Sequence, residues 1–468
     1  MKKLLKISAG IIGALIVILL AVLYWALEDV DYTPWIESGY YTHTKARLDS
    51  ITKNLTLAQG ETQIGFAKVS ITPRLNAEKD DPYEGAFKAL PLAGFGERKG
   101  RPAEGIHDSV FVKAVAVKVQ DKTVIFIGSD LLIVPPSVSN GVIKNLQEKI
   151  KIKREQLFFS ATHTHSSVGA WSEGYVGEEF AGKPNPQVVY WLVLRFSQAI
   201  EKALADLQPA AVGCGSFEAP DFINNRLIGE LGEKDTEFVF LIGRQNSGRS
   251  VVLGSFDAHS TTLGGWNMYI SGDYPGYWQR KLESAGFDLA VYYAGSLGSH
   301  SPRSKGKEFE KPRYIGEALA DSVLKYGAST ELKNDIGLAY ITLKLDLPEF
   351  HVRVSDGIRL NPYLAKKLFP PVGDVYVQAA RIDGLIWATA PADFSGETTI
   401  LYKNAMYKKG YKAIVTSFNG AYVGYVLPMR YYHMDEYETR LMSWFGPYMG
   451  PYTNEMIRRK MTSLADLH

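Results

Sequence analysis

Apolar positions along the chain fall into runs of different period, and each period predicts a different element. Residues 7–27 form one uncharged run, ISAGIIGALIVILLAVLYWAL, long enough to cross about 30 Å of hydrocarbon as a helix. Short β-rich runs follow: VFVKAVAVKV (110–119), TVIFIGSDLLIV (123–134) and the FFSA that opens at Phe158. Between them lie stretches of helical period, such as VSNGVIKNLQEKI (138–150). Asn185-Pro186 reads as an N-cap with proline at the first helical position, starting a helix through VVYWLVLRFSQAIEKALADL. This alternation predicts an α/β fold, a mixed β-sheet core flanked by helices, preceded by one N-terminal transmembrane helix.

The boundaries follow from the same pattern. Residues 1–6 form a basic stub, 7–27 a signal anchor, 28–62 a polar stalk or helical lead-in, and 63–468 one catalytic domain. Lys2, Lys3 and Lys6 precede the apolar run, so the amino terminus is expected in the cytoplasm and the domain outside it, periplasmic or extracellular. Tyr24 and Trp25 sit where interface anchors belong, and no small-residue cleavage site closes the run.

Composition adds exclusions. With 52 Lys+Arg against 50 Asp+Glu there is no basic surplus to suggest nucleic acid as a partner. A single cysteine, Cys214, rules out an intramolecular disulfide and a thiolate zinc site. The glycines of LAGFGERKG (92–100) do not join a strand to a helix and are spaced unlike a dinucleotide loop, so a tight turn is expected there and no nucleotide cofactor.

Candidate chemistry gathers where apolar runs end. FFSATHTH carries His163 and His165 at i and i+2, on one face if the strand continues. SVVLGSFDAHSTT ends at His259, DLAVYYAGSLGSHSPRS at His300 and Ser301, GLIWATAPADFSGE at Asp393, and AIVTSFNGAYVGY at Tyr422 and Tyr425. Ligands of α/β sheets bind beyond the carboxyl ends of strands, so these loops are expected to converge. Separated histidines and a carboxylate suit zinc, which takes three protein ligands and leaves a position open in catalytic sites.

These segments, with GFAKVSITP (65–73), LPLAGFGERKGRPAEGIHD (90–108), SATHTHSSVGAW (160–171) and INNRL (223–227), resemble in collinear order the neutral, or alkaline non-lysosomal, ceramidases. These are zinc-dependent amidases that cleave the N-acyl bond of ceramide. The resemblance covers roughly Gly65 to Arg440 and concerns the family's N-terminal catalytic domain; no counterpart of its carboxyl-terminal immunoglobulin-like domain is expected. It implies one Zn2+ per chain held by His163, His259, Asp393 and Tyr425, with Tyr422 the alternative tyrosine. It further implies catalytic roles for Ser301, for His165 facing the scissile amide, and for Arg226 against the substrate carbonyl or oxyanion. Departures are Asp393 in place of a glutamate, Ser299-His300 in place of Asp-Val before the serine, and an aromatic stretch, LPMRYYHMDEYETRLMSWFGPYMGPY (427–452), read either as a packed cap or as an apolar rim for a lipid tail. The function implied is a membrane-anchored amidase on ceramide or a related lipid amide. Two other functions fit the same residues: a zinc amidase or esterase on non-sphingolipid N-acyl compounds, and a non-catalytic envelope protein that retains the fold.

Overall fold

The structure, a computed structural model, describes residues 2–467. Met1 of the basic stub and His468, the last residue of the expected catalytic domain, lie outside the described residues. The predicted elements form close to where the periods placed them. Phe111–Val119 and Lys122–Ser129 are adjacent antiparallel strands, and Pro136–Ile150 and Pro186–Ala205 are helices. Asn185 caps the second helix, its side chain accepting from the Gln187 N–H at 3.0 Å.

A twelve-stranded mixed sheet is the core. Its main path runs from Leu289–Ala294 through Ser250–Phe256, Glu237–Gln245 and Gln208–Glu218 to the long strand Ala58–Ser70. It continues through Asp335–Leu345, Val375–Ile382 and Leu385–Thr389 to Lys412–Thr416. A branch leaves Ala58–Ser70 through Phe111–Val119 and Lys122–Ser129 to Leu157–Ala161. Inward residues of the branch and of both arms of the path share one apolar core: Trp387 meets Phe126 at 4.6 Å and Tyr293 at 4.9 Å between ring centroids. Helices cover the outer faces, Pro186–Ala205 on one side and the pair Asp273–Ser284 and Glu310–Gly327 on another. This is the mixed α/β core flanked by helices that the sequence predicts.

Parallel pairs set the position of the site. Ser250–Phe256 pairs parallel with Leu289–Ala294, Lys122–Ser129 with Leu157–Ala161, and Leu385–Thr389 with Lys412–Thr416. Within each pair the carboxyl ends lie side by side, and the loops after them carry the candidate residues.

The N-terminal stretch differs from a free stalk. Lys2–Ala26 is one apolar helix whose side chains are exposed from Leu5 to Tyr24. It passes directly into Leu27–Asp29, which pairs with Ile358–Leu360 of the body. Gly39–Thr52 is a helix, the lead-in reading of this stretch, with Leu48 in the core, and Ala58–Ser70 already belongs to the main sheet. A polar composition hid these contacts: backbone pairing holds Leu27–Asp29, and Tyr40, Tyr41, Leu48 and Ile51 dock the helix from among polar neighbours.

Candidate active site

His163 and His165 lie just past the strand Leu157–Ala161, in a loop and not on the strand itself. The face-sharing of i and i+2 therefore has another cause. His163 takes a left-handed backbone conformation, φ +60°, sparsely populated for a residue with a Cβ, and its ring stacks on Phe418 at 4.3 Å. The bend brings His165 Nε2 to 3.2 Å from His163 Nε2. Gly94 makes room for it: at φ +121° its backbone approaches so closely that an added Cβ would stand 2.6 Å from the His165 side chain. Buried Arg98 then ties this turn to the histidine loop, donating to the carbonyls of Ala93 and His165. The LAGFGERKG stretch is thus a turn at the site, as expected.

His259, after Ser250–Phe256, brings a third imidazole. Ligand nitrogens of His163, His165 and His259 all lie within 4.8 Å of one another, so this buried group can bind a metal ion. His163 Nδ1 faces the Leu132 carbonyl at 2.7 Å, and His259 Nδ1 the Leu297 and His300 carbonyls at 2.9 and 3.1 Å. A carbonyl only accepts, so Nδ1 carries the proton in both rings and each Nε2 keeps its lone pair for the cavity. Burial holds all three imidazoles in the neutral, ligating form: His163 is pushed down to about 3, with Asp393 pulling the other way, and His165 and His259 fall well below the usual histidine value.

Asp393 completes the cluster. Its Oδ1 lies 3.4 Å from His163 Nε2 and 3.3 Å from His259 Nε2 and has no hydrogen-bond partner although fully enclosed. Its Oδ2 accepts from Tyr422 at 2.6 Å. Tyr425 Oη stands 3.2 Å from His259 Nε2. The two tyrosines therefore hold different places: Tyr422 steadies the carboxylate and Tyr425 faces the histidines. Donor atoms on a tetrahedron with bonds of about 2.0–2.1 Å are roughly 3.3 Å apart. The observed spacings fit that figure, and an orphaned buried carboxylate oxygen is what a cation would satisfy. Burial raises the Asp393 carboxyl and raises both phenols well above their usual range, so a bound cation is also what would keep the carboxylate charged.

Arg226 follows the short strand Ile223–Asn225. One guanidinium nitrogen is 3.3 Å from His259 Nε2 and 3.4 Å from Tyr425 Oη, and the other pairs with buried Glu438. Burial works against its charge, but Tyr425, Glu438 and Asp393 together raise its pKa. Sequence reasoning missed Glu438. It lies in the tyrosine-rich stretch, where no period marks it.

The cavity over the cluster has a volume of about 500 Å3, and its wall includes His163, His165, Arg226, His259, Asp393 and Tyr425. Ser301 is not among its lining residues. It is half-buried on the strand His300–Pro302, opposite Asn224 of the neighbouring strand. His300 turns away from the cavity chemistry: its Nε2 faces the Glu233 carbonyl at 3.2 Å, and its ring fills the space over Gly396. The stretch 427–452 does two things. Tyr431, Trp444 and Phe445 are buried in the body, whereas Tyr437 and Met442 line the cavity.

Residues 82–228, which carry His163, His165 and Arg226, match the family model described as neutral/alkaline non-lysosomal ceramidase, N-terminal. A neutral ceramidase of Pseudomonas aeruginosa is 26% identical over 265 residues, 50% of this chain and 38% of that protein. Over these segments the chain is similar to the neutral ceramidases. Among solved structures, that of neutral ceramidase from Pseudomonas aeruginosa has the same fold, with a TM-score of 0.72 at 19% identity over 87% of this chain and 75% of that one. A ceramidase complexed with C2 gives a TM-score of 0.72 at 18% identity over 86% and 75% of the two chains. The sequence match thus spans less than half of the Pseudomonas protein's length.

Proposed function

We propose that the chain is a zinc-dependent amidase that hydrolyses the N-acyl bond of ceramide or a related lipid amide. The observation that carries this reading is the convergence of two lone-pair imidazole nitrogens and an unpartnered, buried carboxylate oxygen on one cavity of a ceramidase fold. His163, His259, Asp393 and Tyr425 would hold one Zn2+, a set of nitrogen and oxygen donors that suits this ion. When bound, it would supply Lewis-acid polarisation and a lowered pKa for water.

The chain's own residues divide the remaining work. His165, neutral and with Nδ1 unpartnered, can take up and return a proton beside the scissile amide. Arg226 keeps a positive charge in the cavity, where it can stabilise a developing oxyanion by roughly 3 kcal/mol per donor. Asp393 and Tyr422 orient the carboxylate, and Gly94, Arg98 and Phe418 fix the histidine loop. The family resemblance assigns the reaction's hydroxyl to Ser301, which stands outside the cavity lining and next to His300, whose carbonyl braces His259.

The helix segment Leu5–Ala26, 22 residues long, unburied and apolar after Lys6 but for Ser8, would cross a membrane with the lysines inside and the catalytic domain outside. Long-chain amides reside in bilayers, so such an anchor would keep the site near its substrate.

The test is release of fatty acid and sphingoid base from labelled long-chain ceramide by the full chain in mixed micelles. Release is expected, with loss on chelation and recovery on adding Zn2+. Absence of release across several detergents, with Zn2+ present, would overturn the lipid-amide reading; release that persists under chelation would overturn the metal.

A further inference from the structure

A second cavity, of about 210 Å3, lies against the first. The two share Ile133, Phe180 and Tyr422 as a partition. Beyond it, the second cavity is walled by Pro135, Trp171, Pro371 and Trp444. Of its lining residues Ile133, Trp171, Tyr422 and Trp444 are buried, whereas Ser137, Asn140 and Glu173 are exposed and mark its open end.

The two spaces adjoin at these shared side chains, of which Tyr422 is held in place. Tyr422 spends its hydroxyl on Asp393 at 2.6 Å and packs edge-on against Trp444 at 5.1 Å, so the ring that faces the chamber is the ring that steadies the cluster. The Trp171 indole N–H is satisfied by the Val168 carbonyl at 2.6 Å, which leaves its ring as apolar surface. Prolines 135 and 136 stiffen the entry to the helix Pro136–Ile150, and Pro370-Pro371 stiffen the opposite wall. An apolar chamber with rigid walls, one partition away from the reacting centre, suits a hydrocarbon chain and no charged group.

We propose that this chamber holds one hydrocarbon chain of a two-chain lipid amide whose carbonyl lies in the histidine cavity, the other chain leaving by the first mouth. The inference rests on the lipid-amide reading above and adds a place for one of the tails. Because the far end is open, a long chain is not cut off by a floor, and each additional methylene is buried until the chain reaches Asn140 and Glu173.

Asn140→Trp in the full chain would fill the chamber from an exposed helix position without disturbing the core. The readout is the ratio of kcat/KM on a long two-chain N-acyl lipid to that on a short single-chain N-acyl amide. A fall of at least tenfold in this ratio is expected, the loss of roughly two buried methylenes, and it should come mainly from KM. A smaller fall overturns the proposal. Binding is read separately from hydrolysis: a two-chain lipid amide brominated along one chain should quench tryptophan emission, and Trp171→Phe/Trp444→Phe should remove at least half of that quenching. Quenching that survives the double substitution places the chain elsewhere and also overturns the proposal. If the wild-type chain hydrolyses neither substrate, the lipid-amide reading fails by that result, and the quenching measurement alone decides the chamber.

Discussion

The cavity is built from two kinds of chain. One half is the set of strand-end loops bearing His163, His259 and Asp393, held by parallel strands and by backbone carbonyls that fix each imidazole. The other half is the stretch 427–452, with little regular structure before the helix Met449–Ala465, which supplies Glu438, Tyr437 and Met442. Strand ends set donor positions to within a few tenths of an ångström because a sheet cannot slide without breaking its ladder. The irregular half sets charge balance and access, which tolerate more movement. On the proposed reading the chemistry sits on the rigid half, and the half that departs from the ceramidase pattern frames the cavity around it.

Breaking the rigid half should have the largest effect. His259→Ala removes one lone-pair nitrogen and is expected to abolish stoichiometric metal binding, measured by elemental analysis, with hydrolysis reduced on the order of 10³-fold for a loss of several kcal/mol. Retention of one metal per chain would exclude His259 as a ligand. The charged group at the boundary comes next: Arg226→Gln is expected to lower kcat by about 10²–10³-fold with metal content unchanged. Glu438→Gln should cost less, about tenfold, since the arginine keeps its charge and loses only its partner; equal losses in the two variants would show that Glu438 acts for itself. Tyr422→Phe deletes the hydrogen bond to Asp393 Oδ2 and should weaken metal affinity by about 10–100-fold, read by competition with a chelating dye. An unchanged affinity would move the tyrosine ligand question back to Tyr425 alone.

What the sequence made legible follows the same division. Apolar periods located the strands Phe111–Val119 and Leu385–Thr389 and the helix after Asn185, because burial on a fixed face imposes a period. The loops beyond those strands were legible as a site because chemistry at strand ends is a rule of topology, and the order of the motifs supplied the residues. Glu438, Arg98 and the left-handed turn at His163 were not legible. Each depends on a contact between distant segments, 67 residues apart from Arg98 to His165 and more than two hundred from Arg226 to Glu438, and no local pattern encodes such a contact. The N-terminal stretch 28–62 reads as polar for the same reason: Glu28 is held by Arg359 and Asn361, more than three hundred residues away.

The smallest expected effect concerns how the root of the N-terminal helix is joined to the irregular half, and it is a matter of pH. His351 is buried at that junction, accepting from the Asp31 N–H through Nε2 at 3.0 Å, with its Nδ1 3.3 Å from an Arg359 nitrogen and its ring against Gly446. The neutral ring has one acceptor nitrogen, Nε2, which takes the Asp31 N–H, and a second proton would remove that acceptor beside the Arg359 charge. Burial first, and then the Arg359 charge, push its pKa down to about 4. In the unfolded chain the same ring titrates near 6.5. Between those values the unfolded state binds a proton that the folded state does not, so the contribution of this residue to stability is complete above about pH 6.5 and is lost as pH falls toward 4. The melting temperature of the full chain in detergent should therefore drop between pH 7.5 and 5, and His351→Gln, which cannot titrate, should be less stable at pH 7.5 but lose less over that interval. Parallel curves for the two proteins would show that the junction does not sense pH through His351, and would leave the backbone pairing of Leu27–Asp29 with Ile358–Leu360 as the element that fixes the N-terminal helix to the domain.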